Sequence, residues 1–178
     1  MRAFWTKGYE ATSLADLMSA TGLHKGSLYQ AFGDKHTLFV LALKRYLDDM
    51  RRQKNEIVEA AETPFTGIRK VMHCMLDIAD ADSVCPRGCL AINSLVELAP
   101  HDEQVQQVLG NHLKGMRSSL EEAIGAAQSS GEISTKHSPE LFAALLITFM
   151  DGLAVMLKGS MDKPTAHRLM DAQLEALA

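Results

Sequence analysis

Between Thr12 and Thr37 the chain reads TSLADLMSATGLHKGSLYQAFGDKHT, and the polar residues of its second half have types and spacing suited to a polyanion. Lys25, Gly26, Ser27, Tyr29 and Gln30 share the outward side of a short helical stretch whose inward residues are Leu28 and Phe32. Gly26 lets the backbone come close to a partner. Ser27 and Tyr29 can donate to phosphate oxygens, and the carboxamide of Gln30 offers the paired donor and acceptor that match adenine. Lys35 follows the capping residue Asp34 at a helix N-terminus, where dipole and ammonium both favour a phosphate. The competing reading of these residues is a solvated polar face.

Positioning them requires two short helices. Ser13 caps the first, with Leu14, Leu17 and Met18 inward; Thr21-Gly22 breaks it, and Leu23 re-enters the core before the second begins. Two short helices around a tight glycine turn form a helix-turn-helix. Many helical hairpins share this pattern without binding DNA, so the charge around it matters. From Met1 to Lys54 there are nine Lys/Arg against five acids, whereas the remainder carries nine against seventeen. A basic module joined to an acidic one suggests that the first meets a polyanion and the second does not.

The 178 residues suit one small module and one larger one, with a composition ordinary for a globular protein. Periodicity is helical nearly throughout, which predicts an all-α fold. Phe65, Ile68, Met72, Met75 and Ala79 form one stripe; Val105, Leu109, Leu113, Met116, Leu120, Ala123 and Ala127 form another. Gly131 ends the second long helix, Ser138-Pro139-Glu140 opens the next, and Asp162 to Pro164 opens the last. The run Leu141–Leu157 is apolar in almost every direction yet short of the ~20 residues of a bilayer span, and reads as a buried helix. Helices Pro139–Lys158 and Pro164–Leu177 expose more apolar surface than one protomer covers. They are expected to build a homodimer that a charge at Phe149 or Leu153 would weaken.

The N-terminus lacks a secretory apolar region, and three cysteines make no disulfide framework, so a cytoplasmic protein is expected. No metal-ligand spacing and no phosphate-binding glycine loop stands out, and neither enzyme activity, metal nor cofactor is expected. Asp151 and Glu97, within apolar surroundings, are candidates for general acids or bases, against the commoner reading of buried and paired structural carboxylates. Cys85 and Cys89 in VCPRGC flank Arg87, whose charge favours a thiolate; small buried hydrophobes are the commoner use of such residues, and Cys74 reads as structural.

GYEATSLADL followed by TGLHKGSLYQAFGDKHTLF resembles the signature of the TetR (tetracycline-repressor) family over residues 4–46. RGCLAINSLVELAPHDEQV is similar to the regulatory domains of one broad subgroup. The resemblance implies a helix-turn-helix DNA-binding domain at 1–46, with the start of its first helix missing, and a helical-bundle ligand-binding and dimerisation domain at 47–178. It implies phosphate contacts from Thr12, Ser13, Ser27, Tyr29 and Lys35, base contacts from Lys25, Gly26 and Gln30, and structural roles for Leu14, Leu17, Leu23, Leu28 and Phe32. His24 stands where the family often has Ser or Thr, so a cap worth ~1 kcal/mol is expected to be lost unless the imidazole contacts DNA instead. Met18 fills a usual alanine position. Met72, Met75, Cys89, Ile92, His112, Met116 and Phe149 lie on helices that line the family's pocket, and seven methionines after residue 54 suit a pocket for varied apolar shapes. The implied function is a repressor released from double-stranded operator DNA by an unknown small molecule. The alternative is a helical ligand-binding or interaction protein without sequence-specific DNA binding.

Overall fold

A computed structural model describes residues 1–79 and 88–176, and the described secondary structure is helical. In chain order the helices are α1 (Arg2–Lys7), α2 (Leu14–Thr21), α3 (Lys25–Phe32), α4 (Lys35–Glu59), α5 (Pro64–Ala79), α6 (Leu90–Glu97), α7 (Glu103–Ser129), α8 (Pro139–Met156) and α9 (Lys163–Glu175). The all-α expectation is met. The punctuation anticipated from sequence is also present. Ser138 accepts from the Leu141 N–H and Asp162 from the Thr165 N–H, with Pro139 and Pro164 in the first turns that follow. Gly131 takes a left-handed φ of 76° just beyond α7.

The chain divides into two compact units. The first comprises Met1–Met50 together with Leu90–Gly110, and the second Arg51–Cys89 with Asn111–Ala178. The first unit therefore recruits α6 and the start of α7 in addition to the N-terminal helices, and α4 contributes to both units. A boundary near residue 46 does not anticipate this, because sequence order says nothing about which later segment packs back.

In the first unit Phe4, Leu17, Leu28, Phe39, Leu43, Leu90 and Val105 are buried. The rings of Phe4 and Tyr9 each meet Phe39 edge-on at 5.1 Å, a favoured aromatic geometry. The second unit is a helical bundle in which α5 packs against both α8 and α9. Its core includes Ile68, Met72, Leu76, Ile124, Leu146, Met150, Met170 and Leu174.

Helix α8 departs from expectation in two ways. By length and composition alone it would reach across a bilayer, although six of its side chains, from Phe142 to Ala154, belong to the protein core. Its outward face does not run through Leu153, which is 4% exposed, or through half-buried Phe149. It runs through Leu141, Leu145, Thr148, Gly152 and Val155, at alternating four- and three-residue steps. A 3.6-residue period leaves only one narrow strip opposite the buried side.

Candidate nucleic-acid interface

The turn that carries the exposed polar face is fixed by local chemistry. Ser13 caps α2 by accepting from the Asp16 N–H at 3.2 Å, while Asp16 accepts from the Ser13 N–H at 2.9 Å, a reciprocal capping box. Lys7 reaches the other oxygen of Asp16 at 2.5 Å. Hydrogen bonds from Lys7 and Ser13 hold this carboxyl far below its ordinary range. Gly22 closes α2 in the left-handed conformation (φ 70°), donating to Met18 O at 2.9 Å. Only glycine adopts that conformation without steric cost, so the chain can turn tightly into α3.

Leu28 is fully buried, and Lys25, Gly26, Ser27, Tyr29 and Gln30 are all exposed on α3. The Lys25 ammonium lies 6.0 Å from the centre of the Tyr29 ring. His24 occupies the cap position of α3 without a side-chain cap bond, so the first-turn N–H groups receive no side-chain acceptor there. A helix N-terminus in that state suits an anion.

Two of the residues expected at phosphates are engaged otherwise. Thr12 is fully buried, and its hydroxyl lies 2.5 Å from Gly8 O and 3.3 Å from Ala3 O, so its side chain fastens the loop between α1 and α2. Ser13 is exposed, but its hydroxyl donates to Asp16 at 2.7 Å in addition to capping α2. Lys35 begins α4 as expected and is half-buried. Its ammonium donates to Glu10 O at 3.3 Å and sits 4.5 Å from the centre of the Tyr9 ring, which aims it along the same loop. Asp34 caps α4 by accepting from the Thr37 N–H at 2.7 Å.

A clamp that sequence reasoning did not locate comes from α6 and the turn after it. Glu97 accepts from the Tyr9 N–H at 3.1 Å and the Glu10 N–H at 3.0 Å, a structural pairing as anticipated for this carboxylate. Gly8, at φ 81°, makes room for it, since a Cβ there would lie 2.9 Å from Glu97 Oε2. Asp102 meets His36 at 2.6 Å and caps α7 through the Val105 N–H. Burial would raise the pKa of Asp102, but the Val105 and His36 bonds hold it below the ordinary range.

The residues expected at a small-molecule site are divided between the two units. Met72 (buried) and Met75, Cys89, His112, Met116 and Phe149 (half-buried) belong to the second, and Ile92 (half-buried) to the first. Cys85 and Arg87 fall outside the described residues. Burial, then the charge of Asp77, pushes the Cys74 thiol up despite a hydrogen bond with Gln53, which fits an inert side chain. His112 is depressed by burial first and then by the charges of Lys54 and Arg51. Lys54 is itself depressed by burial and by Arg51, against the opposing pull of Glu122. Lys54 of α4 and His112 of α7 are thus both partly desolvated, with the charges of exposed Arg51 and of Glu122 close by.

Asp151 does not match its expected pairing. Among the described residues it has no hydrogen-bond or ion-pair partner, and burial pushes its carboxyl up to about 6. A carboxyl raised in this way stabilises the fold while protonated, and that contribution fades as pH rises from its unfolded value, ~3.9, through about 6. Asp151→Asn is therefore expected to stabilise the fold at pH ~7.5 by on the order of 1 kcal/mol after solvent screening, read as a higher melting temperature, and to do little at pH ~4. Thermal denaturation of both proteins at the two pH values checks this, and an equal effect at both would contradict it.

The capped turn and the exposed face of α3 define a helix-turn-helix protein of the DNA-binding class. The family model described as "Bacterial regulatory proteins, tetR family" matches residues 1–42, and "Tetracyclin repressor-like, C-terminal domain" matches residues 64–173. The chain belongs to the TetR family of bacterial transcriptional regulators. It is 29% identical over 161 residues to the HTH-type transcriptional repressor ComR of Escherichia coli (strain K12), covering 87% of this chain and 74% of that one. It is 31% identical over 133 residues to the uncharacterised regulator YezE of Bacillus subtilis (strain 168), covering 75% and 68%. A solved structure of a cysteine mutant of the TetR-family regulator CifR, complexed with 26-bp double-strand operator DNA, is similar at a TM-score of 0.84. Its sequence identity is 26%, and the match covers 99% of this chain and 91% of that one.

Proposed function

We propose that the protein is a cytoplasmic repressor that binds operator DNA as a homodimer, without enzymatic activity, and is released by a small molecule. The observation that carries this reading is the exposed polar face of α3; in this reading Lys25, Gly26 and Gln30 meet base edges while Ser27 and Tyr29 meet phosphates. Lys35 adds a phosphate contact from the start of α4. Thr12 and Ser13 would support these contacts through the loop and cap they hold. The second subunit is assigned to the outward stripe of α8, together with Leu169 and Ala172 on α9, because an apolar strip of this kind is normally covered by an identical one.

In this reading Met72, Met75, Cys89, His112, Met116 and Phe149 surround the effector, and the basic group of Arg51, Lys54 and His112 selects an anionic one. Burial disfavours the charged forms of Lys54 and His112, and an anion beside them would offset that cost. An apolar body carrying a carboxylate suits the combination of thioethers and bases.

The test is fluorescence anisotropy on the DNA upstream of the protein's own gene, with competitor DNA present. Decanoate is expected to release the protein at lower concentration than decanamide, and Lys54→Met should remove the difference. Absence of sequence-selective binding would sink the repressor reading. Equal potency of the two compounds, with binding intact, would sink the anionic effector alone.

A further inference from the structure

Across the contact of α5 with α9 the second unit pairs two copies of one pattern. Arg69, His73 and Asp77 stand four residues apart on α5, and Lys163, His167 and Asp171 stand four apart on α9. That spacing places each trio along one helix face. The helices run antiparallel here, so each base meets an acid. Arg69 lies 3.5 Å from Asp171 and Lys163 lies 2.8 Å from Asp77. Between these ion pairs, His73 Nε2 is 2.9 Å from Asp171 Oδ1 and His167 Nε2 is 3.0 Å from Asp77 Oδ1. The Nδ1 atoms of the two rings are in direct contact. With ring centroids 4.6 Å apart and planes only 23° apart, that contact makes the rings meet edge to edge, nearly coplanar.

This geometry constrains the protons. An ionised carboxylate only accepts, so each Nε2 must carry a hydrogen. Burial opposes ionisation of Asp77, but the bond and charge of Lys163, followed by those of His167, hold its pKa below the ordinary value. Arg69 supports the charge of Asp171. Two neutral rings would then aim Nδ1 lone pairs at each other, and two fully protonated rings would aim two N–H groups at each other. The contact is attractive only with one proton between them.

We propose that His73 and His167 share a single proton, forming a singly charged imidazole pair that latches α5 to α9. The other charged groups facing the pair are Arg69 and Asp77 from α5 and Lys163 and Asp171 from α9. Among the described residues no charged side chain of α8, which packs against both helices, bonds to either ring. A metal ion fits less well. No group of three or more His, Cys, Asp or Glu converges as a cage among the described residues, and zinc, needing ~2.0–2.1 Å to each nitrogen, would have to push the touching rings apart. The latch has one competent protonation state. A rise in pH removes the shared proton and a fall adds a second, so the junction holds over an intermediate band and loosens on either side. In the dimer reading above α9 borders the subunit contact, and pH would then adjust the support of that contact. That consequence rests on the dimer, whereas the latch does not.

The test uses the full chain in EDTA without DNA. Nuclear magnetic resonance with labelled histidine is expected to show one strongly low-field proton coupled to Nδ1 of both residues, absent at either end of the pH range. His73→Gln and His167→Gln retain an amide donor for the facing carboxylate but lose the shared proton. Each should flatten the pH dependence of the melting temperature, and the double variant should be no worse than either single one. Absence of the shared resonance at every pH, or strictly additive single variants, would overturn the latch. Stabilisation by zinc added in a separate EDTA-free buffer, abolished by both glutamine variants, would make the pair a metal site instead, and would overturn it equally.

Discussion

Leu145→Glu is expected to convert the protein to a folded monomer. Leu145 is 44% exposed in the protomer and stands on the outward stripe of α8, two turns before Gly152, where a Cβ would meet nothing in the same chain. In the proposed homodimer a twofold contact would bring this stripe against its own copy, so each substitution would place two charges in the interface. An unpaired buried charge costs ~3–5 kcal/mol, so dimer dissociation should rise ~10⁴-fold or more. The circular dichroism of the monomer should stay helical. Leu153→Glu should behave differently, because Leu153 lies in the core and a charge there disrupts the protomer itself. Light scattering at micromolar concentration separates these outcomes. A monomeric wild type, or a dimeric Leu145→Glu, would remove this face from the subunit contact.

Gln30→Ala and Lys35→Ala should weaken operator binding in different ways. The Gln30 carboxamide is exposed on α3, and a bidentate contact of its kind is worth ~1–3 kcal/mol of discrimination between bases. Its loss should relax sequence preference at one position. Lys35→Ala should weaken binding to all sequences and lower the salt slope by about one. The ammonium of Lys35 also spans Glu10 O and the Tyr9 ring, so the loop beside it should become more mobile. Anisotropy titrations against operator and scrambled DNA over a range of salt concentrations give both quantities. Variants with the wild-type profile would place the recognition surface elsewhere.

The sequence by itself determined the helical class, the turn at Gly22, the caps at Ser13, Ser138 and Asp162, the inward positions of Leu17 and Leu28, and the exposed polar face of α3. Each depends on interactions within a few residues, such as a hydroxyl reaching an N–H two or three positions on, or the 3.6-residue period of one helix. The tertiary structure alone decided which groups from distant segments meet. It buries the Thr12 hydroxyl against Gly8 and Ala3, brings Glu97 to the Tyr9 and Glu10 amides, joins 90–110 to the N-terminal helices, turns Leu153 inward, gives Asp151 no hydrogen-bond or ion-pair partner among the described residues and sets His73 against His167. The RxxxHxxxD and KxxxHxxxD patterns stand in the sequence, but the spacing of each defines only one face of one helix. Periodicity shows that a helix has a face without showing what lies opposite, and here the meaning of each trio comes from a second helix more than ninety residues away.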